Sequence, residues 1–341
     1  MARPNVFDPV FDEDVTRYEE QGFRCRRARL GYQAGCERLG VSLWELEPGS
    51  EGVLHYHFGN EELLIALNGR PSLRTPAGWR ELAEGEVAAF PRGPDGAHAI
   101  GNHSDRTIRT LLFSEMRGPD LVVYPDLGMI GAVERMSSPE QGGMAAWVRL
   151  EGAVELHDPD EPEPGSSPAG VAARANALEA RFDAEQDRPG FSWRAARLAA
   201  QAGSRRLGGS LYELPPGETA FPYHAHLGNE EMLVVLRGAP SLRTPRGSQT
   251  LAEGDVVAFL VGERGAHQVT GRAAEPIRFL MISEMRAPDV VLYPDSEKLG
   301  ARGSAPGSAG GGLRMNFRTA DSVDYWEGED PPPGADKHAA R

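Results

Sequence analysis

Residues 55–69 read HYHFGNEELLIALNG, and residues 224–238 read HAHLGNEEMLVVLRG. The phrase is the centre of a duplication that runs along most of the chain. RLGYQAGCERLGVSLWELEPG (Arg29 to Gly49) matches RLAAQAGSRRLGGSLYELPPG (Arg197 to Gly217) at an offset of 168, and one extra residue before the second histidine pair moves the offset to 169. PSLRTP, LAEG, SEMR and YPD then recur in the same order. A chain that writes one unit twice folds that unit twice, so the repeat fixes the domain organisation before any element is assigned. The copies are expected at 1–158 and 173–328. Between them, 159–172 is rich in Pro, Glu, Ser and Gly, a composition that builds no core and reads as a linker. The segments 302–312 and 329–341 read in the same way as a loop and a disordered tail, which sets His338 aside as a ligand.

Each unit reads as all-β. VSLWEL, ELLIALN, EVAAF and TIRTLLF are short apolar stretches bounded by Gly and Pro, and each has a counterpart in the second copy. Turn signals recur at roughly ten-residue intervals, the rhythm of a sandwich or barrel, and about eight short antiparallel strands per unit predict a jelly roll that hides its edges. Helix is expected only in short pieces near 10–21 and 171–186.

The net charge of −14 repels phosphate backbones and anionic lipid, which argues against nucleic acid and membrane as partners. No apolar run approaches the roughly 20 residues that span a bilayer, and no basic stretch leads into an apolar one at the start of the chain. A soluble, cytoplasmic protein, monomeric or homodimeric, is the expectation. The two cysteines, Cys25 and Cys36, form no disulfide framework or CxxC pair and are expected to be buried thiols.

The histidines carry the chemistry. Residues i and i+2 of a strand share a face, so His55 projects with His57, and His224 with His226. Two imidazoles on one face grip a metal ion through neutral nitrogens. After a short turn, Glu62 or Glu231 opens the next strand and brings a carboxylate to the same centre; the preceding Glu61 or Glu230 faces the other way. His98 and His267 stand at matching places downstream.

These residues resemble the two motifs of the cupin superfamily. Gly49, His55, His57, Glu62 and Gly69 fit the first motif, and Gly217, His224, His226, Glu231 and Gly238 fit it with one insertion. Gly85, Pro91, Gly93, His98 and Asn102 follow the second motif with four residues in place of two between glycine and histidine; the second copy departs further, with Leu260 for the proline and Gly271 for the asparagine. The resemblance covers both copies. It implies two tandem double-stranded β-helix (jelly-roll) barrels, each holding one divalent metal through three His and one Glu. Mixed N/O donors suit Fe, Mn, Ni or Zn, and three neutral His with one Glu leave about +1 on the ion, which favours an anionic, chelating small-molecule substrate.

Around this frame, Arg74, Arg109, Arg243 and Arg278 are candidates for clamping a substrate carboxylate, and Glu62 and Glu231 for moving a proton. Tyr124 and Tyr293 are expected to cap turns, Trp44 and Tyr212 to pack in the core, His103 to lie on the surface and His157 between strands or at an interface. The functional expectation is a metal-dependent enzyme acting on a small oxygenated or carboxylated molecule: an oxidoreductase of dioxygenase type first, an isomerase, decarboxylase or other lyase next. The competing expectation is a non-catalytic module that binds a sugar or organic acid through the same metal.

Overall fold

The computed structural model describes residues 3–12, 22–134, 145–149, 175–272, 275–305 and 312–329. The expected linker, His157, His338 and all of the tail beyond Glu329 lie outside them.

Each half folds as a jelly-roll barrel of antiparallel strands. In the first, the sheet Cys25–Ala28, Gly40–Leu46, Ile108–Ser114, Glu62–Asn68 and Val87–Phe90 forms one wall. The second half repeats that wall as Phe191–Ala196, Leu207–Leu214, Ile277–Glu284, Glu231–Arg237 and Val256–Phe259, with Ala184–Arg188 added at one edge. A further sheet in each barrel carries the histidine strand: Tyr56–His57 pairs with Asp120–Tyr124, and Ala225–His226 with Asp289–Tyr293. The central strands are apolar runs because both of their faces are covered. Leu63, Leu64, Ile65 and Ala66 are all buried, as are Met232, Leu233, Val234 and Val235.

Glycines set the corners. Gly69 and Gly238 end the ligand-bearing strands at φ +79° and +83°, a conformation that residues with a Cβ rarely adopt. Gly96 and Gly265 close the 3-10 turns before His98 and His267, where an added Cβ would overlap the carbonyl oxygen of Pro91 or Leu260. The turn is therefore the same in both copies, although Leu260 replaces the proline.

The two barrels are built into one another. One core joins Leu63, Ile65, Leu111 and Phe113 of the first to Met232, Val234, Leu280 and Ile282 of the second. The leading segment of each copy docks on the other copy's barrel. Val6 N donates to Gly254 O (2.8 Å) and Val256 N to Pro4 O (2.9 Å), while Ala177 N donates to Gly85 O and Val87 N to Ala175 O, both at 2.8 Å.

This exchange overturns the helix expected near 171–186 over its described part, with 171–174 outside the described residues. Residues 175–183 carry a bridge and bends, and Ala184–Arg188 is a strand, because the backbone groups of the segment are taken up by neighbouring strands. Of the helix expected near 10–21, residues 10–12 are irregular and the rest falls outside the described residues. Short helices occur instead at Leu30–Ala34 and Leu198–Gln201. Cys25 and Cys36 are buried and not joined in a disulfide, and among the described residues no helix is long and apolar enough to cross a membrane.

Candidate metal centres

Each barrel gathers the expected donors at one interior point. His55 and His98 form an antiparallel bridge, exchanging backbone hydrogen bonds of 3.0 and 2.9 Å, and His224 and His267 repeat it at 3.2 and 2.8 Å. His57 and His226 stand two residues further on. Gly93 N and Gly262 N bond back to their carbonyl oxygens and tie the second-motif turn to the first motif. Glu62 and Glu231 open the next strand. Donor atoms of His55, Glu62 and His98 lie within 4.8 Å of one another, and so do those of His224, His226 and Glu231. The fourth donor joins through the carboxylate in each case: His57 Nε2 is 3.5 Å from Glu62 Oε2, and His267 Nε2 is 3.5 Å from Glu231 Oε2.

All six imidazoles are oriented alike. The Nδ1 atoms of His55, His98, His224 and His267 lie 2.8–3.0 Å from the backbone oxygens of Val53, Gly96, Pro222 and Gly265. A carbonyl only accepts, so Nδ1 carries the proton and Nε2 keeps its lone pair. For His57 and His226 the acceptor is a carboxylate, Asp120 at 2.7 Å or Asp289 at 2.5 Å. These two aspartates are buried and also accept from Gly59 N and Gly228 N. The rings of His98 and His267 stack on Phe90 and Phe259, with centroids 3.6 and 3.7 Å apart. Burial holds His98 down at about 3 and His224 at about 4, and puts His267 well below the usual histidine value, so these rings stay neutral.

The donors fit a divalent cation. His98 Nε2 and His267 Nε2 are buried without a hydrogen-bond partner, a costly state for a lone pair aimed at a group of donors. Ligands about 2.1 Å from an ion sit roughly 3.0–3.4 Å apart at octahedral to tetrahedral angles, close to the 3.4–3.5 Å between Glu62 Oε2 and the Nε2 atoms of His57 and His98. Beside the second centre opens a cavity of about 370 Å³, lined by His224, His226, Glu231 and His267 and walled by Trp193, Tyr212, Phe221 and Met281.

A cupin domain description matches residues 42–114 and again 210–283, the two stretches that carry these donors. The chain carries two cupin domains. A variant of oxalate decarboxylase from Bacillus subtilis is similar over 86% of this chain and 79% of its own, at 17% identity and a TM-score of 0.50, a likeness of fold. A sugar phosphate isomerase of the cupin superfamily from Silicibacter pomeroyi is 25% identical over 42% of this chain and 87% of its own, with a TM-score of 0.36. A comparison with curated proteins returns no match.

The arginines expected to clamp substrate are placed elsewhere in these cupin domains. Arg243 pairs with Asp295 on the surface (2.6 and 2.8 Å), and Arg74 pairs with Asp126 at the matching place. Arg278 bonds to Glu213 and Arg109 to Glu45, at 2.7 and 2.8 Å. Neither Arg243 nor Arg278 lines the cavity; Arg243 is held by Asp295 of the turn Pro294–Ser296 and Arg278 by Glu213 of the neighbouring strand. Tyr293 and Tyr212 do line the cavity, while also holding their expected places, Tyr293 at the start of the turn Pro294–Ser296 and Tyr212 packed against the core. Tyr124 likewise lays its ring against His55, with centroids 5.7 Å apart. Trp44 packs against Phe23, and His103 is a surface residue paired with Glu51.

Sequence reading missed Asp120 and Asp289. Both stand in the repeated SEMR…PD…YPD text, so their repetition was the available signal. Arg302 and Arg314, also cavity residues, have no repeat counterpart to draw attention to them.

Proposed function

We propose that the protein is a metal-dependent enzyme acting on a small oxygenated or carboxylated molecule. In this reading His55, His57, Glu62 and His98 hold one divalent ion, and His224, His226, Glu231 and His267 hold another. The observation that supports it most is the common orientation: six Nδ1 atoms lie within hydrogen-bond distance of fixed oxygens, which turns six Nε2 atoms toward two carboxylates. Four protein donors leave one or two positions for substrate, unlike a closed structural site. A bound divalent ion supplies Lewis-acid polarisation of a substrate oxygen and, as Fe or Mn, redox chemistry with dioxygen.

The chain's own groups supply the rest. Trp193, Tyr212, Phe221 and Met281 give the cavity beside the second centre an apolar wall. Glu231 is the acid–base candidate there: burial raises its pKa, His226 opposes the rise and Asp289 adds to it, with a net shift upward. Glu62 is its counterpart in the first barrel. Oxidation by dioxygen is the first reading of the reaction, and decarboxylation or isomerisation of the same chelated substrate is the second.

The test is turnover. Protein loaded separately with Fe, Mn, Ni and Zn is assayed in an oxygen electrode and by product analysis over a panel of small acids. Metal-dependent conversion of one compound is expected. Tight binding of a compound with no conversion under any metal would make the protein a binding module instead.

A further inference from the structure

The two barrels share a strand ladder but not its side chains. In the second, the backbone register sets Asp289 opposite Arg302, and Arg302 opposite Arg314, across the strands Asp289–Tyr293, Lys298–Arg302 and Arg314–Arg318. In the first, the same register sets Asp120 against Val133 and Val133 against Ala145. The aspartate that orients the central histidine is kept, while two cations stand where the other copy has two small apolar residues.

Both cations line the cavity that holds His224, His226, Glu231 and His267. Arg302 donates to neutral acceptors: Asn316 Oδ1 and Met315 O at 2.8 Å, Ala301 O at 3.1 Å and Tyr293 OH at 3.2 Å. Arg314 is exposed, and among the described residues no carboxylate pairs with either guanidinium. This sets them apart from Arg243 and Arg278, whose charges are already matched. The cavity's lining is largely apolar, with Trp193, Tyr212, Phe221, Met281 and Val291, beside Ser210, Ser304 and Arg197, the last already paired with Asp183.

We propose that the second barrel's cavity selects a small organic anion with an apolar body, its carboxylate or phosphate group gripped by Arg302 and Arg314, and that the first barrel's site lacks this selection. Guanidinium groups bind such anions through charge-assisted hydrogen bonds, for which Arg302 exchanges one or more of its neutral acceptors and Arg314 offers its exposed donors. The apolar wall disfavours a polyhydroxylated body, because each hydroxyl buried there without a partner is penalised. The proposal rests on the metal-site reading only for what lies at the far end of the bound molecule.

Isothermal titration of the full chain, metal-loaded and metal-stripped, with benzoate, phenyl phosphate and benzyl alcohol tests it, with metal content measured in parallel. Benzoate or phenyl phosphate is expected to bind at one site per chain, the stronger of the two naming the anion, and benzyl alcohol at least tenfold more weakly. Arg302→Gln and Arg314→Gln each weaken the anion at least tenfold, and Arg302→Lys restores part of the loss. Arg314 is exposed, so its variant separates lost binding from lost folding. Failure of both anions to bind the wild-type chain, or equal binding by both glutamine variants, overturns the proposal. Arginine-dependent anion binding by a chain that takes up no metal leaves it standing and removes the metal reading alone.

Discussion

At each of the six histidines the outcome is decided at Nδ1, the nitrogen that faces away from the centre. Four donate there to backbone oxygens and two to buried aspartates, and the opposite nitrogen is left to face Glu62 or Glu231. Asp120 and Asp289 do more than orient, since a carboxylate also makes the imidazole a better electron donor. Asp120→Asn is therefore expected to lower metal affinity in the first barrel about 10–100-fold, read by competition with a chelator, while the second barrel keeps its affinity. Equal affinity in variant and wild type would remove that role from Asp120. The eight donors were legible in the sequence because strand pleating and a repeated spacing place them by local rules. The aspartates were not, because each meets its histidine across 63 residues of chain through a strand pairing that no local pattern encodes.

At the scale of elements, the strand ladders are pinned by repeated ion pairs as well as by apolar packing. Glu45 receives Arg26 and Arg109 from the strands on either side, and Glu213 receives Arg194 and Arg278. Burial alone would raise both carboxyls, but the hydrogen bonds from the arginines outweigh it and hold them below the ordinary glutamate value. A depressed carboxyl contributes stability that is present above its unfolded pKa and is lost as pH falls through its folded pKa. Stability is thus expected to be flat near neutrality and to fall below about pH 4.5, and Arg109→Gln is expected to flatten that fall. Urea midpoints measured from pH 3 to 7 check this, and a fall of the same steepness in the variant would contradict it. The short strands themselves were legible from their Gly and Pro boundaries. Residues 175–186, the described part of the helix expected near 171–186, are not helical because their hydrogen bonds run to neighbouring strands and to the other barrel, so local composition does not decide their conformation.

The whole molecule explains why each repeated phrase keeps two adjacent glutamates. Glu62 and Glu231 face their own centre, while Glu61 and Glu230 reach into the other barrel. Glu61 accepts the backbone N–H groups of Arg205, Arg206 and Leu207 and the hydroxyl of Ser204; Glu230 accepts those of Glu37, Arg38 and Leu39. Each is a buried carboxylate in a nest of backbone donors, and each sits beside a donor of its own centre. The opposite orientation of Glu61 and Glu230 was legible from the pleat, but its purpose was not, because the acceptor and its donors belong to different repeats. Removing the carboxylate strands several buried N–H groups, so Glu61→Ala is expected to cost on the order of 3 kcal/mol. It is also expected to loosen the coupling between barrels, so that calorimetry shows a lower transition without single-step form. An unchanged single transition would mean that the shared apolar core alone holds the halves together.

Two interior cages of nitrogen and oxygen donors are the core of the proposed function, and metal stoichiometry tests them most directly. Full-length protein reconstituted with a divalent metal and freed of excess is compared by mass spectrometry with His57→Ala, His226→Ala and the double variant. Wild type is expected to hold about two equivalents per chain, each single variant about one, and the double variant close to none. Metal content that stays the same in all four proteins would contradict both cages at once.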